Sequence, residues 1–370
     1  MRYEKYAIKN LFNGQNGDTD IQKIHLNGKG LPVVTAQETN NGIVGYSDVD
    51  AKVFDENTIT VDMFGHVFFQ PNRYKIVTHA RVFSMKFKYN KLSADVGMYL
   101  VAILRKITAP FEYGHMCSFN KIKDIEIELP TLDTINSSSP YSSEGFVPDF
   151  DYMEKYMLNL KIENVKKIDA YLEREGLNDC DETDEDRAVM SAKPATKEFV
   201  VGDLFNIVKT KKLPYKKGDL PTEPKSAYDL PARTAQTDNQ GLSCYVPREN
   251  ATVLNHCISV NANGDFGAFW HDSEFTILQD SYAITPKGFS LDTNTGLYIV
   301  TCMRKAFTGK YNWNNKSGWA RLKDDVISLP VDSNGNPDFD YMEKYMWAVR
   351  KNTVRDVVAY NKAFLAKYNK

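Results

Sequence analysis

Ten consecutive residues, Pro148-Asp149-Phe150-Asp151-Tyr152-Met153-Glu154-Lys155-Tyr156-Met157, return unchanged from Pro337 to Met346. A match of that length does not arise by chance within one chain, so the polypeptide carries two copies of one unit. The copies reach well beyond this segment. Leu31-Pro32-x-x-Thr35-Ala36-Gln37-x-x-Asn40-x-Gly42 returns as Leu230-Pro231-x-x-Thr234-Ala235-Gln236-x-x-Asn239-x-Gly241. Ile59-x-Val61-x-x-x-Gly65 returns as Ile258-x-Val260-x-x-x-Gly264, and Tyr99 with Arg105-Lys106 as Tyr298 with Arg304-Lys305. Leu11-Phe12-Asn13 and Leu129-Pro130 reappear as Leu204-Phe205-Asn206 and Leu329-Pro330, whereas the Ser-rich stretch 137–145 has no counterpart. Landmarks keep their order while the residues between them differ. That pattern suits two modules doing one kind of work on different targets, since loops carry recognition and the scaffold positions them. Duplication followed by drift is the plainer alternative.

A chain of 370 residues suits two domains, each large enough to bury a core. Its 42% apolar and 25% charged residues are those of a globular protein. Met1-Arg2-Tyr3-Glu4-Lys5 has no apolar signal core, and the longest apolar run, 98–104, is too short to cross a membrane. Cys117, Cys180, Cys244, Cys257 and Cys302 are odd in number and widely spaced, which reads as reduced thiols of a cytoplasmic protein. The net charge of −2 argues by itself against a free-standing nucleic-acid binder. Yet Asp179, Asp181, Glu182, Asp184, Glu185 and Asp186 concentrate acid in one connecting segment, which leaves the modules more basic than the total.

Short β-rich runs broken by Gly, Asn and Asp fill 6–130: strands are expected over 32–36, 42–46, 58–62, 66–70 and 80–87. Residues 97–106 and 297–305 read as helices; 125–129 and 326–329 close each module as strands. The fold class is therefore α+β: two tandem domains, each a twisted sheet or partial barrel followed by a long helix. The boundaries are a first module over 1–147, a first helix over 148–176, an acidic linker over 177–196, a second module over 197–336 and a second helix over 337–370. Asp151-x-x-Glu154 and Asp340-x-x-Glu343 resemble capping boxes. Beyond them, Met153, Met157, Leu160, Val165, Ile168 and Leu172 form one stripe, matched by Met342, Met346, Val349, Val354, Val357 and Phe364. Such helices either pack on their own modules or pair antiparallel about an approximate two-fold axis, and the unchanged ten-residue repeat favours the antiparallel pairing.

Catalytic signatures are absent. There is no G-x-x-x-x-G-K-[ST] loop, no Gly-rich dinucleotide turn, no G-x-S-x-G elbow and no H-x-x-x-H pair among the six histidines. Pro148-Asp149 ahead of Glu154-Lys155 superficially suggests a metal-dependent nuclease, but duplicated acids at a helix start are better read as caps. Neither catalytic nor metal-ligating residues are expected.

Tandem modules that each end in Leu-Pro and lead into a Pro-Asp-Phe-x-Tyr-Met-Glu-x-Tyr helix resemble the specificity subunit of bacterial restriction-modification systems. The likeness is closest to type IIB subunits and to the target-recognition regions fused to type IIG enzymes; type I specificity subunits share the layout. It covers nearly the whole chain and is most specific in 131–157 with 331–346 and in 31–42 with 230–241. The resemblance implies a non-catalytic phage-defence component whose two target recognition domains read the halves of a split, asymmetric duplex site. It further implies that the helices space the half-sites and dock methyltransferase–endonuclease subunits, in two copies, which would carry S-adenosylmethionine and Mg²⁺ themselves.

Side chains suited to base edges or phosphates collect in the variable segments. In the first module these are Gln37, Asn40, Asn41, Arg73, Lys75, His79 and Arg81. In the second they are Lys209, Lys211, Lys212, Lys216 and Lys217, with a recognition loop of Lys310, Tyr311, Asn312, Trp313, Asn314, Asn315 and Lys316. Partner docking is expected from Asp151, Tyr152, Glu154 and Lys155 and from their copies Asp340, Tyr341, Glu343 and Lys344. Gln37, like Gln236, lies in the shared framework, where a structural hydrogen bond is the stronger expectation. Gly65 and Gly264 are expected to serve turns. The rival reading is a bilobal peptide- or glycan-binding protein.

Overall fold

The computed structural model describes residues 1–368. Two compact units emerge: Met1–Ile168 with 365–368, and Asp169–Phe364.

In the first unit the chain runs through β1 (Arg2–Ala7), α1 (Ile8–Leu11), β2 (Phe12–Asn16), β3 (Leu31–Val34), β4 (Ile43–Ser47), β5 (Thr58–Val61), β6 (Val67–Gln70), β7 (Lys75–Ile76) and β8 (Phe83–Phe87). It continues through α2 (Ala94–Thr108), α3 (Phe119–Ile122) and β9 (Glu126–Thr131), then enters α4 (Phe150–Arg174). Where a twisted sheet or partial barrel is expected, the module is built of three small sheets. β1 pairs antiparallel with β9; β2-β8-β5-β6 form an antiparallel sheet; β4-β3-β7 form a third in which β3 and β7 run parallel. β5 is wholly buried, as its β-branched Thr-Ile-Thr-Val sequence suits. α2 packs on β6 and starts at Ser93, whose hydroxyl accepts from the Val96 amide. Val96, Leu100, Val101 and Leu104 recur at helical spacing and are buried in the core, while Arg105 and Lys106 fall in the last turn. Truncating Leu104 to alanine there would cost about 3 kcal/mol.

The second unit repeats this plan strand for strand. β10 (Thr196–Val200), β11 (Phe205–Ile207), β12 (Leu230–Arg233), β13 (Leu242–Val246), β14 (Cys257–Asn261), β15 (Ala268–His271), β16 (Thr276–Ile277), β17 (Ser281–Pro286) and β18 (Val326–Pro330) form sheets β10-β18, β11-β17-β14-β15 and β13-β12-β16. Its helices are α5 (Asp184–Ser191), α6 (Val201–Leu204), α7 (Thr293–Phe307), α8 (Trp319–Leu322) and α9 (Phe339–Tyr368). Even the β-bulge is duplicated, between Val33 and Val34 in β3 and between Ala232 and Arg233 in β12.

The repeated segment docks each long helix on the module before it. Pro148 bridges Thr131, and the Asp149 amide donates to the Pro130 carbonyl at 2.8 Å; Pro337 and Asp338 do the same with Val331 and Pro330, at 2.9 Å. Phe150 meets Phe87 edge-on at 5.7 Å and Met153 is fully buried; Phe339 stacks on Phe289 at 4.9 Å and Met342 is fully buried. The helix starts differ from the expected capping boxes. The Asp149 and Asp338 carboxylates accept from the Tyr152 and Tyr341 amides at 2.9 and 3.0 Å, so these residues are the caps. Asp151 and Asp340 lie inside the first turn, where an acid answers the positive end of the helix dipole.

The expected stripes hold only in part. Met153, Val165 and Leu172 are buried, but Leu160 and Ile168 are exposed; on α9 it is Met342, Ala348 and Val358 that are buried, and Val357 is exposed. Within the second unit the end of α4 packs against α9: Leu172, Leu177 and Cys180 cluster with Val358, Val354 and Trp347. Arg350 donates to Glu175 at 2.9 Å, and Gly176, at φ 69°, ends the helix. The stretch expected as an acidic linker is partly ordered as α5, capped by Thr183 and docked on α9 through Asp186–Lys351 and Glu185–Lys344.

Candidate nucleic-acid interface

Framework amides are spent on the backbone. Gln37 Nε2 donates to the carbonyls of Thr39 and Ile43 at 3.1 and 2.8 Å, and Gln236 Nε2 donates to Asp238 and Leu242. Asn40 Nδ2 donates to the Ile43 carbonyl and Asn41 Nδ2 to the Phe69 carbonyl, both at 2.8 Å. Asn40 and Asn41 hold φ near 50°, as do Asn239 and Gln240 in the second copy. These residues shape a tight turn by satisfying carbonyls with their side-chain amides.

Lys75 is corrected from a phosphate contact to a structural residue. It is buried, and its ammonium donates to the Ser47 and Val49 carbonyls. In the second copy the matching strand β16 carries Thr276 there. The other candidate cations of the first module, Arg73, His79 and Arg81, are exposed. His79 shares a hydrogen bond with Asp20, which holds that carboxyl below its ordinary value. Arg81 stands at φ 50° just before β8, where the second copy has Asp280 at φ 51°. One backbone site thus presents opposite charges in the two modules. Arg73 lines an open cleft with Asp55, Asn57, Lys86 and Lys91.

In the second module Lys209, Lys211, Lys212 and Lys216 are exposed, and Lys217 donates to Gln236 Oε1 at 3.1 Å. The expected recognition loop is a structured hairpin. Asn312 and Asn315 exchange backbone hydrogen bonds at 3.0 and 3.2 Å, and Asn312 Oδ1 accepts from the Asn314 and Asn315 amides. Asn315 Nδ2 donates to the Lys310 carbonyl, and its Oδ1 accepts from Arg321 at 2.6 Å. Tyr311 is corrected from a contact residue to a core one: it is buried against Phe266 and Phe307, with its hydroxyl on Asp325. Burial, followed by that carboxylate, raises its pKa. Lys310 pairs with Asp325 at 2.6 Å. What the hairpin offers outward is Trp313, 69% exposed, with Asn314 and Lys316.

The first module has the same hairpin, which its sequence does not advertise. Glu112 and His115 exchange backbone hydrogen bonds at 3.3 and 3.0 Å, and Phe111 stacks on His115 at 5.0 Å. At its tip, in the position of Trp313, stands Tyr113, 76% exposed. Glu112-Tyr113-Gly114-His115 shares no letter with Asn312-Trp313-Asn314-Asn315, so the aromatic character of the tip was the available signal. Beside each hairpin a glycine makes the turn after β5 or β14: Gly65 has φ 83° and Gly264 φ 78°. A Cβ on Gly65 would lie 2.3 Å from the Thr108 carbonyl oxygen, so only glycine fits there.

A buried polar pair under the sheet shows framework chemistry changing in step. Gln70 Nε2 donates to Thr60 Oγ1 at 2.9 Å; in the second copy His271 Nε2 and Ser259 Oγ lie 2.8 Å apart. Burial, aided by Arg233, lowers the His271 pKa to about 3, so the ring is neutral.

On the helix starts Asp151, Glu154 and Lys155 are exposed, as are Asp340, Glu343 and Lys344, the last bridging Asp340 and Glu185. Tyr152 and Tyr341 are half-buried and stack on Tyr156 and Tyr345. Among the described residues no three His, Cys, Asp or Glu side chains group as a metal site, and no helix is long and apolar enough to cross a membrane.

Two like modules with divergent, exposed hairpin tips define a class of tandem recognition proteins. Residues 2–169 match the type I restriction modification DNA specificity domain. Over 96% of both chains, the protein is 23% identical to the specificity subunit S.BcgI of a type II restriction enzyme from Heyndrickxia coagulans. The crystal structure of a type I restriction-modification S subunit from M. genitalium has the same fold, with a TM-score of 0.53, 15% identity and coverage of 98% of this chain and 95% of that one. The resemblance to restriction-modification specificity subunits drawn from the sequence is thus upheld, and the family match falls on the first module.

Proposed function

We propose that this chain is the non-catalytic DNA-recognition subunit of a restriction-modification complex, reading a bipartite, asymmetric duplex site with one module per half. One observation carries the reading: an identical backbone plan is built twice, while the exposed side chains at matched places differ, Arg81 against Asp280 and Tyr113 against Trp313. Shared scaffold with divergent contacts is what two half-sites of unlike sequence require. Phosphate contacts would come from Arg73 and Arg81 in the first module and from Lys209, Lys211, Lys212, Lys216 and Lys316 in the second, all exposed.

The repeated faces Asp151, Glu154, Lys155 and Asp340, Glu343, Lys344 would each dock one methyltransferase–endonuclease subunit, giving two copies per chain. Identical exposed residues on two sites suit two copies of one partner. S-adenosylmethionine and Mg²⁺ would be bound by those partners.

The test is co-purification from cells expressing the complete system, followed by gel shifts with duplex DNA across salt concentrations. Counterion release makes duplex affinity fall steeply with salt. Salt-insensitive binding, or capture of peptides or glycans in place of duplex, would overturn the reading. Charge reversal of Glu154 and Lys155 should remove one partner copy, and doing the same at Glu343 and Lys344 the other.

A further inference from the structure

We infer that Tyr113 and Trp313 are paired probes for base edges, each acting beside an arginine, Arg105 or Arg304, that holds a phosphate of the same half-site. The inference rests on the DNA-reading function above and specifies which side chains meet the duplex.

Three observations converge. First, both tips expose a large aromatic ring on a hairpin whose base is fixed: Phe111 on His115 in one copy, Tyr311 on Asp325 in the other. Tyrosine and tryptophan, which join a large ring to a polar tip, are the side chains most used where a surface meets a partner. Second, an aromatic stands at the tip of both hairpins although Glu112-Tyr113-Gly114-His115 and Asn312-Trp313-Asn314-Asn315 share no identical residue. Third, matched arginines take the same place in each module. Arg105 Nε donates to the Val67 carbonyl at 3.0 Å with its guanidinium over Phe68; Arg304 Nε donates to the Ala268 carbonyl at 2.9 Å over Phe269. Both arginines are exposed, and their Nη nitrogens have no hydrogen-bond partner among the described residues. Tyr113, Arg105 and Gly65 line one open cleft, and Trp313 lies over Gly264, the equivalent turn.

The division of labour follows from chemistry. A guanidinium contact to phosphate fixes register and carries no sequence information. A ring at a hairpin tip is slim enough to enter a groove, where it meets thymine methyls and base edges through apolar contact. Tyrosine and tryptophan differ in size and donor geometry, which suits two unlike half-sites.

The experiment is to express the complete system with Tyr113→Ala, Trp313→Ala or Arg105→Gln and sequence the methylated motif across the host genome. Tyr113→Ala should relax base tolerance in one half of the motif only, and Trp313→Ala in the other, with methylation of the original motif falling about tenfold. Arg105→Gln should leave the motif unchanged, weaken duplex binding and make the dependence of affinity on salt shallower. Partner co-purification and an unchanged Tm show that each variant folds. Folded tip variants with an unchanged motif, or both relaxing the same half, would overturn the inference while leaving the DNA-reading function intact. A wild-type system that methylates no bipartite motif would overturn both.

Discussion

Residue identities that look like ligand contacts are, in several cases, solutions to buried backbone chemistry. Lys75 reads as a phosphate contact because exposed lysine is the common case, yet its ammonium closes two carbonyls under the third sheet. Only the pairing of β3 with β7, invisible in a two-residue strand, puts it inside. Lys75→Ala should therefore destabilise the first module by about 2 kcal/mol, because two buried acceptors lose their donor. It should leave the salt slope of duplex binding untouched, whereas a true phosphate contact lowers that slope by about one. His271 gives a second test. Its folded pKa of about 3 lies below the unfolded value near 6.5, so the unfolded chain binds the extra proton between those limits. Its contribution is complete above pH 6.5 and is lost as pH falls toward 3. All four tryptophans lie in the second unit, so urea unfolding followed by their fluorescence reports on it alone. His271→Gln, which borrows the amide of Gln70, should flatten the decline between pH 6 and 4 relative to the wild type; an unaltered decline would place the titrating group elsewhere.

At the scale of elements, β3, β4, β5, β6, β8 and β9 of the first module and β18 of the second were legible because β-branched residues alternate with turn formers, whereas β1, β2 and β7 were not. The helices α2 and α7 were legible too, at least in existence. The helix starts were displaced by two residues: an acid followed three places later by Glu resembles a capping box, but the preceding Asp-Phe is the pair whose geometry closes the turn. Asp338→Ala should thus lower the stability of the second unit by about 1 kcal/mol, and Asp340→Ala by a few tenths, measured by urea midpoint. Equal losses would restore the capping-box assignment. The stripes misled for a related reason. Apolar residues on α9 lie on more than one side, and the buried face includes Lys351 and Asn361, polar residues that a hydrophobic period cannot count. Tyr113 stayed hidden because the hairpin around it retains its backbone hydrogen bonds while replacing every side chain.

At the scale of the whole molecule, the net charge of −2 obscured how the charge is used. The acid-rich segment is not a free tail within its unit: Asp186 is buried with Lys351, Glu185 pairs with Lys344 and Glu182 with Arg355 on α9. Acids that would otherwise repel duplex are held against cations of the same unit, so the total says little about the recognition surfaces. Only one of these pairs carries much energy, since exposed ion pairs contribute at most about 1 kcal/mol while breaking a buried one costs about 3 kcal/mol. Burial pushes the Asp186 carboxyl upward, but hydrogen bonds from Lys351 and from the Thr183 amide and hydroxyl outweigh it and bring the pKa to about 2. The folded value lies below the unfolded one, so the stability it confers is present above about pH 4 and disappears as pH falls to about 2. Asp186→Ala leaves Lys351 charged and buried without its partner, and should release α5 from α9. Amide exchange across 184–191 should then accelerate at least tenfold at neutral pH, while Glu185→Ala has little effect. If the two variants exchange alike, the buried pair is not what holds the segment in place.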